Sequence, residues 1–263
     1  MDTLSAGIDV GSVTTKAVIA DGDGTVLGKA ILPTGISGEE AAREALGRAM
    51  QAASLPDSAI SYTIATGYGR NLVSFADKQL TEITCHARGA FEHLKSSLTL
   101  IDIGGQDCKA MAIDTRGKVE RFIMNDRCAA GTGRFLEVMA RVLETDVAHM
   151  SRLALESKRP VVINNMCTVF AESEVVSLLA RQTPREEIAA GLIRGIGERV
   201  GAMLRKISRA DKDVYISGGV ALNAAIVVAL GDYLGCEVQV LPEPQFTGAY
   251  GAALLASKKK DEK

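Results

Sequence analysis

Residues 8–26 read IDVGSVTTKAVIADGDGTV, and residues 101–119 read IDIGGQDCKAMAIDTRGKV. The two stretches align without a gap at an offset of 93 residues and share eight identical residues over nineteen positions. Each begins as an apolar strand that ends in an aspartate and a glycine-containing turn, continues as a second strand, and passes through a D-x-x-G turn into a third. The repeat predicts an α/β fold with two duplicated lobes that face each other across a cleft.

The remaining pattern alternates helices with strands. We expect lobe boundaries at 1–97 and 98–263, with the C-terminal helix returning to the first lobe. Predicted strands are Gly7–Val10, Ala17–Ala20, Leu98–Ile103, Ala110–Ile113, Val214–Ser217 and Val238–Leu241. Predicted helices are Glu39–Ala53, Thr132–Glu144, Val175–Leu179, Ile188–Ile207, a segment that follows Gly218-Gly219 and runs through Leu230, and Gly248–Ser257.

Charge and composition narrow the possible functions. The chain has 30 basic and 32 acidic residues, a net charge of −2, so no nucleic-acid partner is expected. The longest apolar run, 224–230, is far shorter than the roughly 20 residues that cross a bilayer, so no membrane partner is expected. Five cysteines without a complete disulfide framework favour metal or redox chemistry over disulfides. We therefore expect a soluble, cytoplasmic protein.

The first glycine turn carries groups that suit a phosphate. Backbone N–H groups, hydroxyls and an ammonium occur together at Gly11, Ser12, Val13, Thr14, Thr15 and Lys16. The preceding Asp9 suits Mg²⁺ held through water, and Asp102 supplies the matching carboxylate from the second lobe. Gln106, just after Gly104 and Gly105, is placed to orient an attacking water.

A third glycine turn, Gly218-Gly219, lies between a strand and a helix, where the backbone can approach a flat ring or a phosphate closely. The G-x-x-x-x-G-K-[ST] pattern of P-loop nucleotide triphosphatases does not occur in the sequence, nor does a dinucleotide fingerprint follow the first strand. The three turns therefore indicate a phosphate-binding protein outside those two classes.

Two cysteines precede predicted helices. Cys128 stands just before the Gly131-Thr132-Gly133 turn, and Cys167 just before a second helix. A thiolate or a cluster at a helix N-terminus is stabilised by the dipole and the free N–H groups. The alternative is that both are small buried hydrophobic residues. Without a C-x-x-C pair, a Cys₄ site would need two chains, each giving two thiolates.

The segments IDVGSVTTK, LIDIGGQD, YISGGVALN and GAYGAA, in this order, resemble the phosphate-1, phosphate-2, adenosine and connecting motifs of the acetate and sugar kinase/heat-shock protein 70/actin superfamily. This resemblance implies ATP or ADP held between two ribonuclease-H-like lobes. Carried onto this sequence, it adds Gln245 to Gly104, Gly105, Gly218, Gly219 and the first turn as expected nucleotide contacts.

Four further segments narrow the resemblance. TGYGRN (66–71), ADKQLTEITCHARGA (76–90), MNDRCAAGTGRFLEVMA (124–140) and CTVFAESEV (167–175) resemble the ATP-dependent activators of 2-hydroxyacyl-CoA dehydratases, a family shared with benzoyl-CoA reductase ATP-binding subunits. The resemblance implies a homodimer in which Cys128 and Cys167 of each copy bind one 4Fe–4S cluster. It also implies Mg²⁺–ATP hydrolysis, ferredoxin or flavodoxin as electron donor, and a dehydratase or related acyl-CoA reductase as electron acceptor.

The residues alone leave three other interpretations open. The chain can be the ATP-binding subunit of a benzoyl-CoA reductase, a small-molecule kinase with Asp107 as base, or a cluster-containing ATP-dependent sensor. Cys85, His86, Glu172 and Glu174 receive no role.

Overall fold

Two five-stranded sheets organise the chain in the computed structural model, which describes residues 4–125, 129–164, 167–207 and 213–259. The strands of the first sheet are β1 (Leu4–Val10), β2 (Thr14–Ala20), β3 (Val26–Pro33), β4 (Ile60–Thr66) and β5 (Lys78–Gln79). Those of the second are β6 (Leu98–Ile103), β7 (Cys108–Ile113), β8 (Val119–Asn125), β9 (Val214–Ser217) and β10 (Val238–Val240).

The two sheets have the same architecture. Their orders are β3-β2-β1-β4-β5 and β8-β7-β6-β9-β10, so corresponding strands occupy corresponding places. β1 pairs antiparallel with β2 and parallel with β4, and β6 pairs parallel with β9. A central strand with both neighbours in place is buried along its length, which is why β1 and β6 read as apolar runs.

Helices connect and cover the strands. Their bounds are α1 (Gly38–Ala52), α2 (Glu82–Leu94), α3 (Gly133–Val142), α4 (Val147–Glu156), α5 (Thr168–Ala180), α6 (Arg185–Arg205), α7 (Ala224–Leu234) and α8 (Thr247–Lys259). Several begin with side-chain caps: Ser37 caps α1, Thr81 caps α2 and Asp146 caps α4, each accepting from a backbone N–H of the first turn. No helix within the described part of the chain is long and apolar enough to cross a bilayer.

The sequence repeat is a structural repeat. In the first copy the Asp21 carboxylate accepts from the backbone N–H groups of Asp23 and Thr25 at 3.0 and 2.8 Å. In the second copy Asp114 accepts from Arg116 and Lys118, both at 2.8 Å. Since the offset of 93 residues preserves each of these contacts, the identical aspartates are explained by the turn that they hold.

The chain divides into two compact units. The first comprises 1–97, 113–120 and 241–263, and the second comprises 98–112 and 121–240. The C-terminal helix α8 thus belongs to the first unit, where it packs on α2, β1 and β4. The α2–α8 crossing is close because glycines face backbone: a Cβ on Gly89 would collide with the Thr247 carbonyl oxygen, and one on Gly251 with that of Cys85.

Most predicted elements are confirmed, with two corrections. The predicted helix Val175–Leu179 is the C-terminal half of α5, which begins at Thr168. The helix predicted to follow Gly218-Gly219 starts later than expected, because a 3-10 turn covers Gly219–Leu222; α7 starts at Ala224 and continues past Leu230 to Leu234. Asn223 accounts for the later start, because its side chain accepts from the Ile226 N–H and caps α7.

Candidate functional site

The first predicted phosphate turn joins β1 to β2. Its closure is a hydrogen bond of 3.1 Å from the Gly11 N–H to the Thr14 carbonyl oxygen. Thr15 is fully buried, and its hydroxyl lies 2.9 Å from that of Thr34, which in turn donates to the Gly11 carbonyl oxygen. Thr15 therefore supports the turn from beneath. Ser12 and Val13 remain partly exposed with Gly11 and Thr14.

Asp9 lies at the end of β1, directly opposite Lys16 of β2. Its Oδ2 is 3.6 Å from the Lys16 Nζ, and Asp9 is only 6% exposed. Two glycines form the wall around this carboxylate. Gly67 has a φ of +87°, and a Cβ there would collide with Asp9 Oδ1, while a Cβ on Gly248 would lie 3.2 Å from Asp9 Oδ2. The carboxylate thus occupies a cradle that side chains at either position would fill.

Gln245 belongs to the same unit as Asp9 and stands two residues before α8 begins, where it is partly exposed. The first unit therefore contains Asp9, Gln245 and the Gly11–Lys16 turn. The other predicted nucleotide residues lie in the second unit.

Asp102 of β6 is the counterpart of Asp9 and is almost fully buried. It accepts a hydrogen bond of 2.9 Å from Ser217 and one of 3.1 Å from the Lys109 Nζ. Lys109, 2% exposed, also forms an ion pair with Asp107. A buried ammonium requires such partners. Asp107, the base that a kinase would use, is thus engaged by Lys109.

The second glycine turn joins β6 to β7. It closes with a 2.9 Å hydrogen bond from the Gly104 N–H to the Asp107 carbonyl oxygen, the equivalent of the bond that closes the first turn. Gly105 is partly exposed and Gln106 is exposed, so water reaches its amide. Gly218 and Gly219 follow β9, and a Cβ on Gly218 would lie 3.0 Å from Asp102 Oδ1. The second and third glycine turns are therefore adjacent around Asp102.

The second glycine turn also holds the start of α3. The Gly133 N–H donates to the Gly104 carbonyl oxygen at 2.9 Å, and the Arg134 N–H donates to that of Gly105 at 2.8 Å. These are N–H groups of the first helical turn, which have no partner within the helix. The helix that follows the Cys128 segment is therefore bonded directly to a predicted phosphate turn.

Cys167 is the N-cap residue of α5 and is partly exposed, with no hydrogen bond from a helix N–H to its side chain. Cys128 lies outside the described residues. Burial raises the pKa of the Cys85 thiol to about 12 and raises the pKa of Cys108 as well. Cys85 and Cys108 are thus inert core residues. Within the described ranges, no group of three His, Cys, Asp or Glu side chains is placed to hold a metal ion.

Two polar contacts of the second unit were not anticipated. Lys109 repeats Lys16 at the same offset as Asp102 repeats Asp9, so the repeat itself carried the signal for it. Ser217 contacts Asp102 across 115 positions of sequence, and no local pattern predicts such a contact. Glu174, left without a role, accepts from the Asn164 N–H at 2.7 Å and so ties the segment before Cys167 to α5.

Replacing Lys16 by alanine is expected to weaken ATP binding by about tenfold or more, because a hydrogen bond to a charged group is worth roughly 1.5–3 kcal/mol. Calorimetric titration with ATP measures the change. Lys29→Ala is the matched control, since Lys29 lies on β3 and forms an exposed ion pair with Glu243. Wild-type affinity in Lys16→Ala would remove Lys16 from the nucleotide site.

Residues 6–256 match the sequence pattern of the BadF/BadG/BcrA/BcrD ATPase family. The activator of lactoyl-CoA dehydratase from Anaerotignum propionicum is 45% identical over 257 residues, covering 98% of each chain. A benzoyl-CoA reductase subunit from Thauera aromatica is 30% identical over 261 residues, covering 96% of this chain and 92% of the relative. The match to the activator is therefore the stronger of the two.

Solved structures agree. (R)-2-hydroxyglutaryl-CoA dehydratase component A from Acidaminococcus fermentans superposes with a TM-score of 0.93 at 41% identity, covering 98% of this chain and 99% of the other. The activator of 2-hydroxyisocaproyl-CoA dehydratase from Clostridium difficile, with bound ADPNP, gives 0.92 at 39% identity, with coverage of 99% and 96%. A Streptomyces griseus glucokinase shares the fold alone, with a TM-score of 0.61 at 15% identity and coverage of 97% and 99%. The predicted fold class is confirmed.

Proposed function

Because the chain belongs to the BadF/BadG/BcrA/BcrD ATPase family, we propose that it hydrolyses ATP to deliver single electrons to a 2-hydroxyacyl-CoA dehydratase, which it thereby activates. The observation that carries this proposal is the direct bonding of a nucleotide-type glycine turn, Gly104-Gly105, to the helix that follows Cys128. An ATPase that moves electrons needs a physical link between its phosphate site and its redox centre, and we propose that these hydrogen bonds are part of that link.

Each unit offers groups that suit a phosphate. Gly11, Ser12, Thr14 and Lys16 offer N–H groups, hydroxyls and an ammonium at a turn that is partly exposed. In the other unit, Gly104, Gly105, Gly218 and Gly219 offer backbone without side chains. We propose that Val13 contributes its N–H, that Thr15 supports the first turn, that Gln245 contacts the nucleotide and that Gln106 orients the attacking water.

The carboxylates fit Mg²⁺, which prefers hard oxygen ligands and keeps several of its waters. Asp9 sits in a cradle walled by Gly67 and Gly248, so its oxygens can accept from waters of the ion. Asp102 accepts from Ser217 through one oxygen and from the Lys109 ammonium through the other, and we propose that it also contacts a water of the ion. When bound, Mg²⁺ neutralises charge on the phosphates. The protein's part is to hold both carboxylates still.

Cys167, unlike Cys85 and Cys108, is suited to bind a cluster. It is partly exposed and stands at the N-terminus of α5, where helix N–H groups and the dipole favour negative charge. We propose that Cys128 is the second ligand of each copy and that two copies together supply four thiolates to one 4Fe–4S cluster, which serves as a one-electron redox centre.

An apolar surface beside Cys167 supports pairing of two copies. Val169 and Phe170 are each 65% exposed in the first turn of α5, and Val176 is 55% exposed two turns after Val169. Val162, before the cysteine, is 87% exposed. A second copy that places its own Cys167 beside this one would cover these side chains, and burying apolar surface favours association.

The electron donor and acceptor follow from the same proposal. Ferredoxin or flavodoxin would supply the electron, and a 2-hydroxyacyl-CoA dehydratase would receive it, in the cytoplasm of an anaerobic cell. A related acyl-CoA reductase is the second candidate acceptor, favoured by the 30% identity to the benzoyl-CoA reductase subunit of Thauera aromatica.

Anaerobic purification followed by iron and sulfide analysis tests the proposal. We expect about four of each per dimer, as a Cys₄-held 4Fe–4S cluster requires. We also expect a visible spectrum that changes with ATP, and ATP-dependent activation of an added dehydratase. A chain that hydrolyses ATP but takes up no iron after anaerobic reconstitution would overturn the electron-transfer function and favour a kinase.

A further inference from the structure

The imidazole of His86, a residue to which the sequence assigned no role, lies beside the Asp9 cradle. His86 is on the first half of α2 and is 6% exposed. The position that a Cβ of Gly248 would occupy is 2.7 Å from His86 Nε2 and 3.2 Å from Asp9 Oδ2. The ring edge and the carboxylate therefore both lie against the same glycine, and Nε2 is the ring atom nearest to that glycine.

The packing of α2 on α8 fixes this arrangement. Gly89 lies against the Thr247 carbonyl oxygen, and Gly251 lies against that of Cys85, the residue before His86. Close backbone contacts at two points along the crossing leave α2 little freedom to shift on α8. His86 is thus carried to Asp9 by a rigid helix pair, while Lys16 approaches the same carboxylate oxygen from β2 at 3.6 Å.

We propose that His86 is a positioning residue, whose Nε2 edge holds the Asp9 carboxylate in the orientation that receives the hydrated divalent ion of the nucleotide. This inference rests on the proposed Mg²⁺ site at Asp9. A carboxylate that binds through water must keep both of its oxygens oriented, and partners behind such a ligand typically change metal affinity by about 10- to 100-fold when they are removed. In this arrangement His86 acts on the carboxylate from α2, and Lys16 acts on it from β2.

Two polar replacements of His86 separate positioning from packing. Glutamine extends its amide nitrogen to about the place of Nε2, whereas asparagine is shorter and ends near the place of Nδ1. Titration of the full-length protein with Mn²⁺ in the presence of ADP, followed by the EPR signal of free Mn²⁺, reports the ion directly. We expect His86→Asn to bind Mn²⁺ about tenfold more weakly and His86→Gln to stay within about threefold of wild type.

His93→Asn is the matched control, because His93 lies on the same helix and contacts α8 through Tyr250, with ring centroids 5.3 Å apart. Its Mn²⁺ affinity should equal that of the wild type. Equal Mn²⁺ affinity in His86→Asn and wild type, or equal losses in both His86 variants, would overturn the positioning role. Asp9→Asn distinguishes a failure of the ion site at Asp9 from a failure of the positioning role of His86. If Asp9→Asn binds Mn²⁺ with wild-type affinity, the proposed ion site at Asp9 is wrong, and His86 has no ligand to position.

Discussion

Cys167→Ser is expected to lose the iron–sulfur cluster while keeping its fold and its ATP hydrolysis. Cys167 is an N-cap residue that makes no side-chain cap hydrogen bond, and serine is among the preferred residues at that position. The substitution should therefore leave α5 as stable as before, or more stable by up to about 1 kcal/mol. It removes a soft thiolate, which an iron–sulfur cluster requires.

Iron analysis after anaerobic reconstitution measures the effect. We expect iron to fall from about four atoms per dimer to below about one, and ATP-dependent activation of a dehydratase to be lost with it. Cys236→Ser is the matched control, since Cys236 is also a partly exposed free cysteine of the second unit. A full complement of iron in Cys167→Ser would contradict the ligand assignment. Cys128→Ser, at the other proposed ligand, should behave as Cys167→Ser does.

The duplicated core was predictable because its determinants are local. An aspartate, a glycine turn and a lysine seven residues after the aspartate occur twice, and each copy closes its turn with equivalent hydrogen bonds. Such turns depend on residues within five positions of each other, which a single sequence displays directly. The predicted strand Leu98–Ile103 and the predicted strand Val214–Ser217 match the structure at both ends for the same reason.

Cys167 was predicted to precede a helix, and it is the N-cap of α5, but the helical pattern was recognised only over Val175–Leu179 because the first residues of α5 do not carry it. Val169 and Phe170 are apolar yet exposed, so the expected alternation of buried and exposed faces is absent there. This gap in the pattern lies beside a proposed cluster ligand, at the surface that we propose a second copy covers. It is physically reasonable that the helical alternation of buried and exposed residues fails at a functional surface, since the residues there are selected for binding a partner as well as for forming the helix.

The residues around the Asp9 carboxylate could not be predicted from the sequence, for a different reason. Gly67, His86 and Gly248 come from the end of β4, from α2 and from α8, and nothing in the sequence near Asp9 refers to them. Only the folded chain brings these residues to one carboxylate.

Gly133→Pro is expected to weaken the coupling between ATP hydrolysis and the proposed redox centre. Gly133 is the first residue of α3, a position where proline fits a helix, and Thr132 before it has the extended backbone that a following proline requires. Proline lacks the N–H that donates to the Gly104 carbonyl oxygen, and its ring would occupy the space between them. The substitution therefore removes one of the two hydrogen bonds between the glycine turn and α3, leaves the one from the Arg134 N–H to the Gly105 carbonyl oxygen, and keeps the helix.

Redox titration of the cluster with and without nucleotide measures the coupling as a shift in reduction potential. Coupling between two sites is typically about 1–3 kcal/mol, which for one electron corresponds to a shift of roughly 40–130 mV on nucleotide binding. In Gly133→Pro we expect that shift to be reduced and dehydratase activation to fall with it, with iron content and ATP affinity retained.

Val147→Pro places the same residue at the first position of α4, after the extended backbone of Asp146, and controls for proline as such. It should keep the nucleotide-dependent shift. Because coupling is reciprocal, reduction of the cluster should also change ATP affinity, and it should do so less in Gly133→Pro than in the wild type and in Val147→Pro. An undiminished shift in Gly133→Pro would mean that the signal reaches the cysteines by a route other than the hydrogen bonds between Gly104, Gly105 and α3.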